Sequence, residues 1–216
     1  MLICSTCELP TIWKCARIIP LHKGGDLLDT NNYRPISIIC SISKVLEKII
    51  YNQLSHYLNT YNILSPVQSV FRPNHSTTTA LLTFSNDLYS AADDGELTGA
   101  IFIDLTKAFD FVDRYLLLDK LHGIGLSNNT VLWFNLYLHN RKQCVVVNGK
   151  QSDLLIQQKG VLQGSTLGPL LFSIYINDLS SCLINCRTHL YADDTVIQYI
   201  HPNLIFTNSD LSSIGF

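Results

Sequence analysis

From Ile42 onward the apolar positions Ile42, Val45, Leu46, Ile49, Ile50, Leu54, Tyr57 and Leu58 recur at helical spacing and predict one long amphipathic helix. A second helix is expected to start at Ser76 or Thr77, either of which can cap it. It presents Leu81, Phe84, Leu88 and Ala91 and closes at Asp93-Asp94-Gly95. The period then changes. Gly99–Asp104 is a short apolar run with the pattern of a buried strand that ends in an acid. Two short helices are expected around 114–122 and 128–139, separated by Gly123 and Gly125. Gln143–Val147 and Leu154–Gln158 flank Asn148-Gly149, the strongest short hairpin signal in the chain. Pro169 suits the first turn of a helix through Leu170–Leu179. His189–Ala192 and Thr195–Ile200 read as strands joined at Asp193-Asp194. Near the start, Arg17–Pro20 reads as a strand entering a Gly24-Gly25 turn. Helices and antiparallel strands are mixed, so the expected class is α+β. Repeats and linker-like tracts are lacking, and no domain boundary stands out.

Composition supports a packed core. The 216 residues are 47% hydrophobic and 15% charged, which excludes a disordered tail. No apolar run approaches the ~18 residues of a membrane-spanning helix, and the first residues lack the order of a secretory signal. The expected setting is intracellular, in cytoplasm or nucleus. The net charge of −2 hides an asymmetry: residues 1–75 hold seven Lys/Arg against four Asp/Glu, and the remainder eight against thirteen. A basic surplus advertises nucleic-acid binders; here only the front half has one.

Seven cysteines form no even disulfide framework. Cys4 and Cys7 make one CxxC without a second pair. Cys182, Cys186 and His189 fall one ligand short of the four that structural zinc takes. Free thiols are the expectation.

The residues that suggest chemistry are Asp104, Asp193 and Asp194. Each falls where a strand ends or a hairpin turns, positions that hold side chains rigidly. Clustered carboxylates repel unless a cation offsets them, and Mg²⁺ takes such hard oxygen ligands together with phosphate oxygens. Taken alone, Asp193-Asp194 reads more readily as an ordinary turn dipeptide.

The surrounding residues change that balance. The strand-borne acid opens Ile103-Asp-Leu-Thr-Lys-Ala-Phe-Asp-Phe-Val-Asp113. The acid pair is framed as Tyr191-Ala-Asp-Asp194, and Gln163-Gly-Ser-Thr-Leu-Gly-Pro169 lies between the two. Upstream stand Asn32-Tyr-Arg-Pro-Ile-Ser37 and Phe71-Arg-Pro-Asn-His-Ser-Thr77. In order and spacing, from about Trp13 to Ile200, these blocks resemble the fingers and palm motifs of non-LTR retrotransposon reverse transcriptases, most like the jockey group. The resemblance implies a right-hand polymerase fold, fingers over about 13–98 and palm over about 99–216 with fingers-associated insertions. It also implies RNA-templated addition of deoxynucleoside triphosphates to a DNA primer 3′-hydroxyl, with two Mg²⁺ ions or Mn²⁺ in their place. Asp104 and Asp193 would be metal ligands, supported by Asp194 and by the backbone carbonyl of Leu105. Phe109 would be the steric gate that leaves no space for a 2′-hydroxyl. Gln163 and Gly164 would lie near nucleotide and template, with Ser165 and Thr166 capping the next helix. Arg72 would clamp the triphosphate, a task suited to a permanently charged fork. Lys23 and Arg34 are further candidates for phosphate contact.

Two departures stand out: Val70 where the family has glycine, and Leu162 where it has proline. The resemblance further implies that the thumb, the endonuclease and a downstream basic residue are absent. This is expected of a truncated reading frame with little or no processive synthesis. The competing reading is a nucleic-acid-binding remnant without catalysis. An unrelated carboxylate–metal hydrolase would leave Phe109 and the Gln163 block unexplained.

Overall fold

The computed structural model describes residues 9–69, 76–183 and 186–201. Along the chain the elements are β1 (Cys15–His22), β2 (Tyr33–Ile38), α1 (Ser41–Thr60), α2 (Thr77–Asp93) and β3 (Leu97–Asp104). Then come α3 (Ala108–Phe111), α4 (Arg114–Gly123), α5 (Asn128–Leu138), β4 (Arg141–Val147), β5 (Lys150–Gln151) and β6 (Leu155–Gln157). The last are α6 (Gly168–Tyr175), α7 (Leu179–Cys182), β7 (Arg187–Tyr191) and β8 (Asp194–His201). The mixture is α+β, as the pattern predicts.

The chain divides into two compact units, each built from two stretches. The first unit gathers the residues up to Tyr61 with Lys107–Tyr175. Its sheet pairs β1 antiparallel to β2 and parallel to β4, with β5 and β6 both on β4. The β4–β5 turn is Asn148-Gly149, with φ of 50° and 76°, the two left-handed residues that a tight hairpin demands. The returning strand is shorter than expected and broken. Val146 faces Gln151, but Gln143 faces Leu155, so one extra residue is accommodated between β5 and β6.

Helix α1 forms where predicted and buries only part of the predicted face. Ser43, Glu47, Ile50, Leu54 and Leu58 are buried, whereas Ile42, Val45 and Ile49 are exposed. A serine and a glutamate share the buried stripe with Ile50, Leu54 and Leu58, a choice that apolar periodicity cannot anticipate. The core of this unit is filled by Leu54, Leu58, Leu117, Leu121, Phe134, Leu167, Leu171 and Phe172. Arg114 is buried at the start of α4. It donates to the carbonyls of Gly160 at 2.9 Å, Gln157 at 2.8 Å and Lys159 at 3.1 Å.

The second unit comprises Asn62–Thr106 and the residues from Ile176. Ser76 caps α2 in a reciprocal capping box with Thr79, which accounts for the predicted start. Its sheet has the order β3-β8-β7, all antiparallel. Phe84 of α2 meets Phe102 of β3 and His189 of β7 edge-on, and Asp87 pairs with Arg187 at 2.6 Å. Strand β3 is not the buried strand its composition suggests: Phe102 is 71% exposed. The predicted helix over Leu170–Leu179 ends early, at Tyr175. Asn177 interrupts it, accepting from the Ser65 N–H at 2.7 Å and donating to the Ile63 carbonyl at 2.9 Å.

Candidate active site

The three candidate acids all belong to the second unit. Asp104 is the last residue of β3 and stands directly opposite Asp194, the first residue of β8. Residues directly opposed in an antiparallel pair present their side chains on one face, with Cβ atoms about 4.5–5.5 Å apart. On the other side of β8, Asp194 is opposed by Tyr191. The turn between β7 and β8 is therefore Ala192-Asp193 rather than Asp193-Asp194, because Asp194 is already in the ladder. Ala192 takes a φ of 56°, a left-handed conformation uncommon for a residue with a Cβ. A hairpin this tight demands a positive φ, and alanine supplies it at some strain.

The electrostatics match this proximity. The Asp194 carboxyl is raised above its ordinary range by lost hydration, then by the charges of Asp193 and Asp104. Among the described residues no three His, Cys, Asp or Glu side chains converge on a point able to hold an ion. Mg²⁺ needs only one or two carboxylates, completing its shell with water and substrate phosphates. Paired carboxylates with excess negative charge are the donor set such an ion takes, so the residues fit it. Replacing Asp104 by asparagine removes one of the two raising charges. The Asp194 carboxyl is expected to titrate at lower pH in that variant, read by carbon NMR of the labelled carboxylate; an unmoved titration would mean that the acids do not interact.

Other candidates lie in the first unit. Phe109 is half-buried, one ring face stacked on Phe172 at 4.6 Å. Gln163 is half-buried, and its carbonyl accepts from the Ser37 N–H at 2.8 Å. With Pro35, Ser37, Asp110 and Lys159 it lines a cavity of about 360 Å³. Gly164 has a φ of +100°, and a Cβ there would stand 2.9 Å from the Ser37 carbonyl oxygen. Both the conformation and the close approach require glycine. Ser165 caps α6, accepting from the Gly168 N–H at 2.9 Å. The block at Asn32–Ser37 thus contributes a strand that fastens the Gln163-Gly164 turn, a function the motif alone does not disclose. Leu105 is exposed immediately after Asp104. Arg72 and Val70 lie outside the described residues. Cys182 and Cys186 are free thiols, as expected.

Sequence reasoning missed Glu47 and Arg114. Both are charged residues held inside, and their only signal is a charge on a face that helical periodicity turns toward the core.

The profile of the reverse transcriptase (RNA-dependent DNA polymerase) family matches residues 21–203. The chain belongs to this family. Its relatives include the probable RNA-directed DNA polymerase from transposon BS of Drosophila melanogaster, 34% identical across 88% of this chain and 22% of that protein. The RNA-directed DNA polymerase from mobile element jockey of the same organism is 30% identical across 94% of this chain and 23% of that protein. These relatives agree with the jockey-like, non-LTR resemblance of the motifs. The chain spans about a fifth of their length. Among solved structures, apo telomerase from Candida tropicalis, truncated from its C-terminal domain, superposes with a TM-score of 0.63 at 16% identity. It covers 94% of this reverse transcriptase chain and 45% of the telomerase chain, a likeness of fold. Among the described residues, no helix is long and apolar enough to cross a membrane.

Proposed function

We propose that this reverse transcriptase chain carries the nucleotidyl-transfer centre of an RNA-directed DNA polymerase from a mobile element. Its substrates would be an RNA template, a DNA primer and deoxynucleoside triphosphates. The observation that carries the reading is the pairing of Asp104 with Asp194 across β3 and β8, with Asp193 in the adjoining turn. Asp104 and Asp193 would hold two Mg²⁺ ions, supported by Asp194 and the Leu105 carbonyl. When bound, such ions activate a 3′-hydroxyl and stabilise the leaving pyrophosphate oxygen.

The remaining roles are those of the chain's own side chains. Gln163 and Gly164 bind the nucleotide opposite its template, Gly164 by letting the backbone approach closely. Arg72 neutralises the triphosphate. The ring of Phe109, backed by Phe172, excludes a ribose 2′-hydroxyl. The test is single-nucleotide addition to a primer on an RNA template by the purified 216-residue chain, with Mg²⁺ or Mn²⁺. Template-directed addition that stops on chelation supports the reading. A chain that adds no nucleotide and shows no Mn²⁺-induced broadening of its Asp104 and Asp194 signals would overturn it. Phe109→Ala is expected to relax discrimination against ribonucleotides more than it lowers deoxynucleotide use. The ratio decides, because losing the stack on Phe172 costs stability whatever the role; an unchanged ratio would reduce Phe109 to a core residue.

A further inference from the structure

Glu47 of α1 is 1% exposed, yet it has no direct ion pair among the described contacts. Its carboxylate is instead held by two donors, one on each oxygen. The Tyr137 hydroxyl of α5 donates to Oε1 at 2.6 Å, and the Thr166 backbone N–H donates to Oε2 at 2.7 Å. Both distances are in the short range of charge-assisted hydrogen bonds. Tyr137 is fixed in turn. Its ring stacks on Trp133, and its carbonyl accepts from buried Arg141 at 2.9 Å, whose other nitrogen reaches the Trp13 carbonyl at 3.0 Å. Burial and the Glu47 charge push the Tyr137 phenol far above its ordinary range, so it remains a donor.

Burying a carboxylate costs several kcal/mol, and apolar residues of the same volume often serve stability as well or better. Helix α1 sets its glutamate in one buried stripe with Ile50, Leu54 and Leu58. The buried glutamate does something they cannot: it accepts from a backbone N–H two residues beyond Gly164. The Gln163-Gly164 turn is then pinned on one side by Ser37, which donates to the Gln163 carbonyl, and on the other by Glu47 through Thr166.

We infer that Glu47 is a positioning residue for the nucleotide-binding turn, fixing Gly164 in its left-handed conformation through the Thr166 amide. This rests on the proposed role of Gln163 and Gly164. The experiment uses the full chain, labelled with nitrogen-15, and reads the Gly164 and Thr166 amide resonances beside the affinity for a deoxynucleoside triphosphate with Mg²⁺. Glu47→Leu is expected to shift and broaden the Gly164 signal and to weaken nucleotide binding at least about tenfold, the scale of one charge-assisted bond. Tyr137→Phe removes the other hydrogen bond on the same carboxylate together with the hydroxyl's interaction with the Ser165 side chain. It is expected to lower the melting temperature and to disturb the Gly164 signal and the affinity less than Glu47→Leu does, because the acceptor for Thr166 remains. Glu47→Gln retains one acceptor oxygen for Thr166, so its Gly164 signal should stay while the Thr166 amide moves upfield as the bond loses its charge. Should Glu47→Leu not fold, an unmoved Thr166 resonance in Glu47→Gln overturns the inference and an upfield move sustains it. Equal disturbance of Gly164 by Tyr137→Phe and Glu47→Leu, or full affinity in Glu47→Leu, also overturns it. A wild-type chain that binds no nucleotide defeats the proposed function instead, and the amide resonances still judge Glu47.

Discussion

Asp104→Asn should lower single-nucleotide addition about a thousand-fold or more while the protein stays folded and becomes slightly more stable at neutral pH. The first half follows from the chemistry. Asparagine keeps the shape of the side chain but removes half of the charge that Asp104 and Asp194 bring together across β3 and β8. Metal stabilisation of developing charge is worth several kcal/mol, and each 1.4 kcal/mol or so is tenfold in rate. The second half follows from the raised Asp194 carboxyl. A group whose proton affinity is higher in the folded chain than in the unfolded one opposes folding when ionised. That penalty is present above the folded pKa and fades as pH falls through it. Removing Asp104 lessens it, so the stability gain should be visible at pH 7 and vanish in acid. Activity and stability are expected to move in opposite directions, as at sites where like charges are held together for a purpose. Urea unfolding at two pH values beside the extension assay checks both. A variant that loses stability and activity in parallel would mean that Asp104 serves the fold.

The largest effect on folding is expected from Arg114→Leu, about 3–5 kcal/mol of destabilisation, because it strands one buried and two part-buried acceptors at once. The guanidinium holds the carbonyls of Gln157, Lys159 and Gly160, and burial brings it down to about 10, still charged at neutral pH. The segment it holds has little freedom to rearrange. Gly160 has a φ of +84°, and a Cβ there would meet the Asp110 carbonyl oxygen at 2.6 Å. Its N–H donates to the Val112 carbonyl, and the next N–H, of Val161, donates to the Phe109 carbonyl. Arg114→Lys is expected to lose less, since one carbonyl can still be met by an ammonium. Urea denaturation decides. A loss below about 1 kcal/mol for the leucine variant would show that water replaces the guanidinium.

Much of this architecture was legible from residue pattern. The helix from Ile42, the cap at Ser76, the Asn148-Gly149 hairpin and the acids at strand ends all rest on local rules, and local rules hold where the chain interacts with itself nearby. What was not legible depends on partners distant in sequence. Nothing near Glu47 reveals that Thr166 will need an acceptor, so Ile42, Val45 and Ile49 were the natural choice for the core. Nothing near Leu170–Leu179 reveals that Asn177 will be drawn away by Ile63 and Ser65. The strand Tyr33–Ile38 went unread because Arg34 and Pro35 interrupt its alternation, though β1 pairs with it along its whole length. The acids were found by their setting, whereas the pairing of Asp104 with Asp194 rather than with Asp193 emerged only from the register.

The β3–β8 ladder also sets a timetable. Asp104 and its cross-strand partner are separated by roughly ninety residues, and a ribosome adds about 5–20 residues per second. For some seconds of synthesis β3 exists without the strand that completes it, its backbone N–H and C=O groups unpaired. The first unit is caught in the same interval, since β1 cannot add β4 until Arg141–Val147 has emerged. A nascent chain stalled before β8 would therefore display an open β edge, which is what chaperones and aggregating neighbours recognise. The long-range pairing that brings the acids together is also what makes the newborn protein vulnerable.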